Sequence, residues 1–117
     1  MHNRIVHLEL HTGHLGGALS FYSELLDWRR ERVELAGRSY EALDLGLSGG
    51  VVQCGVPRPT WLPYVAVPEI GCATDRAERL GAAVLVEPRE GPAGWRSVVA
   101  TPEAGELALW QSKRAST

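Results

Sequence analysis

Side chains alternate along residues 4–12. Ile5, His7, Glu9 and His11 fall on one face and Val6, Leu8 and Leu10 on the other, the period of two expected of a strand with one apolar side. The period then lengthens. Leu15, Ala18, Leu19, Tyr22, Leu25 and Leu26 recur at helical spacing, with Thr12 placed as the cap. Three stretches rich in strand formers follow, at residues 30–35, 39–45 and 50–54, the first two joined by a turn at Ala36-Gly37-Arg38. The first half thus reads βαβββ.

The second half repeats that order. A strand at residues 64–67 precedes a helix carrying Ile70, Ala73, Ala77 and Leu80, closed by Gly81, and strands follow at 83–86, 96–100 and 106–111. A shift of 55 residues lays Leu15 on Ile70, Gly16 on Gly71, Ala18 on Ala73 and Leu25 on Leu80. The Pro-rich stretch Gly55-Val56-Pro57-Arg58-Pro59-Thr60 is a short, stiff connector. We expect a single domain over residues 1–117, with module one at 4–55, the connector at 56–60 and module two at 61–114. Neither module is long enough to bury a good core alone, so the two must pack together.

Composition narrows the partners. The chain has 117 residues, 44% hydrophobic and 22% charged, with a formal net charge of -2 and pI near 6.1. That balance offers no broad attraction to phosphate backbones or anionic lipid, which disfavours nucleic acid and membranes. No apolar run approaches the roughly 20 residues needed to cross a bilayer, and the start, with His2 in a frayed end, lacks a secretion signal, so a cytoplasmic location follows by default. Cys54 and Cys72 stand apart and read as reduced, small, buried apolar residues.

Several phrases carry a resemblance. His7 lies 14 residues before Phe21, which opens FYSELLDW; WLPYVAVPEI starts at Trp61 and TPEAGELALWQ at Thr101. In order and spacing these resemble the vicinal oxygen chelate superfamily, that is, the glyoxalase, bleomycin resistance and extradiol dioxygenase proteins. The resemblance implies an α+β fold in which two βαβββ modules form a curled, cup-like mixed β-sheet with helices on the outside. It also implies homodimers, and in the metalloenzymes a divalent ion held by one ligand from the first and one from the last strand of each module. Tested by residue, His7 occupies the first ligand position and its counterpart is Leu62. Aligning residues 49–54 with 105–110 puts Val52 and Ala108 where carboxylates would stand. The standard metal site is therefore expected to be absent, and no cofactor is expected.

What remains is one strand face. His7, Glu9 and His11 share it, and their counterparts Leu62, Tyr64 and Ala66 share the equivalent face of module two. Three ionisable groups in a row are costly to enclose unless they bond one another, a ligand or water. They either orient a ligand, with Val52, Cys54, Leu62 and Ala108 as apolar floor and Tyr64 and Trp110 as aromatic walls, or are simply solvated. His7 and Glu9 are also the best candidates for catalysis, as a general base and its carboxylate. The rise per residue separates them by about 7 Å, which is long for direct contact. The same straight strand is expected to make the three groups diverge rather than hold a metal.

Three functions stay open. The first is a metal-independent protein binding an aromatic or peptide-like compound. The second is a metal-dependent lyase, isomerase or dioxygenase using His7, with Glu106 or Gln111 as a further ligand. The third is a dimeric structural or interaction subunit, with Trp28, Trp61 and Trp95 as contact residues.

Overall fold

The computed structural model describes residues 3–35 and 38–113; His2 and the turn residues Ala36 and Gly37 lie outside them. The elements are β1 (Ile5–Thr12), α1 (Leu15–Leu25), β2 (Arg30–Leu35), β3 (Arg38–Asp44), β4 (Ser48–Gln53), β5 (Thr60–Ala66), α2 (Ile70–Arg79), β6 (Ala83–Glu90), β7 (Gly94–Thr101) and β8 (Gly105–Ser112). This is βαβββ twice, in the order expected. The edges differ where backbone pairing outruns residue preference. β4 starts at Ser48 because Gly49 and Gly50 pair with Leu43 and Ala42, and β5 starts at Thr60, inside the Pro-rich connector.

Two compact units emerge, one of His7–Leu62 and one of Met1–Val6 with Pro63–Thr117. In the first, the strand order is β2-β3-β4-β1, antiparallel except for the parallel β4–β1 pair. Its core joins Leu10, Leu43 and Val51 to Leu19 of α1, with Tyr22, Trp28 and Trp61 packed around them. Each fully buried aliphatic side chain of this kind stabilises by about 1.5–3 kcal/mol. The apolar stripe of α1 is only partly used, since Phe21 and Leu25 are exposed.

Thr12 does not cap α1. It is buried, and its Oγ1 accepts from the His14 N–H, one residue ahead of the helix. His14 is the N-cap residue and gives no side-chain cap. The first helical N–H, that of Leu15, instead donates to Gln53 Oε1 at 2.8 Å, while Gln53 Nε2 donates to the Gly13 carbonyl. The cap comes from across the fold because a local β-strand conformation keeps the Thr12 side chain inward.

The second unit has the order β5-β8-β7-β6, with β5–β8 parallel and the rest antiparallel. The start of the chain joins it: the Ala66 N–H donates to the Arg4 carbonyl, and Asn3 Nδ2 donates to the Ala66 carbonyl. α2 is tied to β7 by a buried hydroxyl pair, Thr74 Oγ1 and Ser97 Oγ, 2.8 Å apart. At its N-terminus the Glu69 carboxylate accepts from the Gly71 and Cys72 N–H groups. At the other end Gly81 takes φ 106°, a left-handed conformation open to glycine without steric cost. Leu80, expected on the apolar stripe, is the C-cap residue and is exposed.

Candidate functional site

Parallel pairing decides which side chains meet. On β1 and β4 the partners are His7 with Ser48, Glu9 with Gly50 and His11 with Val52, so these six positions share one face. Leu10 and Val51 point the opposite way, into the core beneath α1. The polar face is thus held by a packed apolar one.

The three ionisable side chains do not stand apart as the strand rise suggested. They lean toward Glu9, whose Oε1 is 2.8 Å from His11 Nε2 and whose Oε2 is 3.4 Å from His7 Nε2. On its other side, His7 Nδ1 lies 2.7 Å from Ser48 Oγ. The result is a continuous row, Ser48–His7–Glu9–His11. Three of its members are partly enclosed, with side-chain exposures of 18% for His7, 15% for Glu9 and 26% for His11, and Ser48 is exposed. A carboxylate accepts only, so both Nε2 atoms donate to Glu9. Ser48 stands among Gly46, Gly49 and Gly50, and only the parallel register of β1 and β4 brings it to His7.

In the other unit, Tyr64 pairs with Ala108 and Ala66 with Trp110. Tyr64 is buried, its ring centroid 6.3 Å from that of Trp110, and Arg96 Nη1 donates to its hydroxyl at 2.9 Å. The Trp110 ring lies over Gly94, where a Cβ would come within 2.8 Å of Cζ2. Ala108 is fully buried. Of the other predicted lining residues, Leu62 is buried, while Val52 and Cys54 are half-buried. Arg96 was not singled out from the sequence, and nothing in its flanking residues marks it.

These pairings move the register of the repeat. With Glu9 equivalent to Tyr64, Gly50 matches Ala108, Val52 matches Trp110 and Gln53 matches Gln111, two residues beyond the alignment read from the sequence. The strands leading to β8 are longer than those leading to β4, a length difference that residue type alone conceals.

A divalent ion of the kind the resemblance implies does not fit this donor set. Both Nε2 atoms are turned to the Glu9 carboxylate instead of to a common empty point. Gln111 Oε1 accepts from the Ile70 N–H, and Glu106 is exposed. Among the described residues no group of three or more His, Cys, Asp or Glu is placed to hold a metal.

Cys72 is exposed and Cys54 half-buried, and both are free thiols; the expectation that both are buried therefore fails for Cys72. Its position near the start of α2 turns it toward the Glu69 carboxylate. A hydrogen bond to Glu69 pushes the Cys72 thiol pKa up, and Glu69 is held below the ordinary carboxylate value by that thiol and by the Cys72 and Gly71 N–H groups. A thiol so shifted is a weak nucleophile at neutral pH.

No family model matches the chain, and no curated protein matches it in sequence. Solved structures do. A hypothetical protein from Bacillus halodurans C-125 aligns with a TM-score of 0.72 at 12% identity, covering 100% of this chain and 99% of that one. A glyoxalase/bleomycin resistance protein/dioxygenase superfamily member from Vibrio splendidus 12B01 aligns at 0.66 and 18% identity, covering 95% and 99%. The Mn(II)-bound glyoxalase from Novosphingobium aromaticivorans aligns at 0.64 and 14% identity, covering 98% of this chain and 42% of that one. Among the described residues no helix is long and apolar enough to cross a membrane. Element order, mixed strand pairing and these likenesses agree: the chain has the fold of the glyoxalase/bleomycin resistance/dioxygenase proteins of the vicinal oxygen chelate superfamily.

Proposed function

We propose that this protein binds a small aromatic or peptide-like molecule without a metal ion. The observation that carries the reading is the row Ser48–His7–Glu9–His11, a partly enclosed line of donors and acceptors on a strand face whose other side is core. Binding sites of this type set a few convergent polar groups within apolar walls. Val52 and Cys54 continue that face, and His7 and Glu9 supply its orienting hydrogen bonds. In the second unit the half-buried Trp110 and Arg96 offer aromatic and cationic surface suited to planar or carboxylate-bearing groups, with Tyr64 and Ala108 buried as support. Leu62 plays the same supporting part in the first unit.

The reading includes a cytoplasmic homodimer. Exposed Phe21, Leu25 and Leu26 on and after α1 support an apolar contact surface, and sedimentation giving a monomer would contradict it.

A thermal-shift screen of aromatic compounds and of divalent metals, run on protein stripped with chelator, tests the binding reading. An aromatic ligand at 100 times its dissociation constant stabilises by about 2.7 kcal/mol. Stabilisation by metals alone, with a stoichiometric ion in protein purified without chelator, would overturn it.

A further inference from the structure

The row on β1 and β4 has the connectivity of a nucleophile, a base and an orienting carboxylate. Ser48 Oγ is 2.7 Å from His7 Nδ1, and the opposite ring nitrogen faces Glu9 Oε2 at 3.4 Å. Because Glu9 as a carboxylate only accepts, the neutral imidazole keeps its proton on Nε2 and presents the Nδ1 lone pair to the Ser48 hydroxyl. His11 Nε2, 2.8 Å from Glu9 Oε1, holds the carboxylate in place and is a positioning residue. The register that joins His7 to Ser48 is fixed by the ladder, not by a mobile loop.

Ser48 is also accessible. It is exposed and lines a cleft of about 600 Å³ together with Arg29, Arg30, Tyr40, Asp44 and Leu47. We propose that Ser48 is a nucleophile activated by His7 and that this cleft takes small, uncharged carboxylic esters. Arg29 and Arg30 are offset there by Glu31 and Asp44, which gives no preference for a charged substrate. Tyr40 offers a ring beside it.

The Ser48 oxygen bonds to the ester carbonyl carbon as its proton passes to His7 Nδ1, and Glu9 stabilises the imidazolium. Collapse breaks the carbon–oxygen bond to the leaving alcohol, which takes that proton. Water then gives a proton to His7 and attacks the acyl carbon, releasing the acid and restoring Ser48. The sum is ester plus water to acid plus alcohol.

This step rests on the binding reading and shares Ser48, His7 and Glu9 with it, so the test separates the two. The intact protein is treated with a fluorophosphonate probe and, separately, with p-nitrophenyl acetate, alongside the S48A and H7F variants. The expected result is a covalent label on Ser48 by peptide mass spectrometry, absent in S48A, and ester turnover lowered about 100-fold or more in both variants. An unlabelled Ser48, or turnover unchanged in S48A, overturns the proposal. Thermal shifts by aromatic ligands on the wild-type protein report on the binding reading alone: such shifts with no label on Ser48 remove the nucleophile and leave binding intact.

Discussion

Gln53 and Gln111 do the same task in the two units. Each sits on the last strand of its module, and each turns its Oε1 to the first N–H of its module's helix, Leu15 at 2.8 Å and Ile70 at 2.7 Å. A helix leaves its first N–H groups without internal partners, and here a distant amide satisfies one of them. The pair also anchors each helix to the strand that lies beside the first strand of its module.

Replacing either glutamine by alanine is expected to destabilise by about 1 kcal/mol. Q53A removes two exposed bonds, to the Leu15 N–H and the Gly13 carbonyl, where water can take the amide's place, and Q111A removes one partly buried bond, so Q111A is expected to cost at least as much. Urea denaturation of the two variants measures the difference.

The Thr74–Ser97 pair predicts strong coupling. T74V leaves the fully buried Ser97 hydroxyl without its partner and is expected to destabilise by about 1–3 kcal/mol. Adding S97A removes the stranded group and is expected to recover part of the loss. A double-mutant cycle that gives additive effects would show that the hydroxyls do not depend on one another.

Glu69 makes stability depend on pH. Its carboxyl is held below the ordinary value of 4.5 in the folded chain, by the Cys72 thiol first and then by backbone N–H groups. A depressed folded pKa contributes stability that is fully present above the unfolded value and lost as pH falls through the folded one. E69A is therefore expected to melt at a lower temperature than wild type at pH 7, with the gap narrowing below pH 4.5. A constant gap across that range would contradict the assignment.

Gly94 predicts a steric effect on the aromatic surface. A Cβ there would meet the Gln111 carbonyl and come within 2.8 Å of the Trp110 ring, so G94A must displace strand or ring. Overpacking of this kind costs about 1–3 kcal/mol. The expected signs are a lower melting temperature and altered tryptophan fluorescence.

The fold was legible because periodicity survives in short strands. The alternation over residues 5–12 and the helical spacing from Leu15 locate β1 and α1, and the repeat locates their counterparts. Side-chain traffic was not legible. The rise per residue puts His7 and Glu9 about 7 Å apart, yet flexible side chains on one face close that distance to 3.4 Å. Ser48 went unnoticed because glycines around it look like a turn, while its partner is 41 positions away and visible only through parallel pairing. The caps show the same limit. Thr12 has the right residue type and place for α1, but the amides that serve the helices come from strands far along the chain.

The His7–Glu9–His11 face is proposed to bind its ligand without a metal. Imidazole resonances of chelator-treated protein, followed by NMR while aromatic fragments are added, test it most directly. Fragments that shift the His7 and His11 signals, with the shifts lost in E9A and unchanged by added manganese, are the predicted result. Binding that appears only after a divalent ion is added, or fragments that leave both imidazoles unmoved, would contradict it.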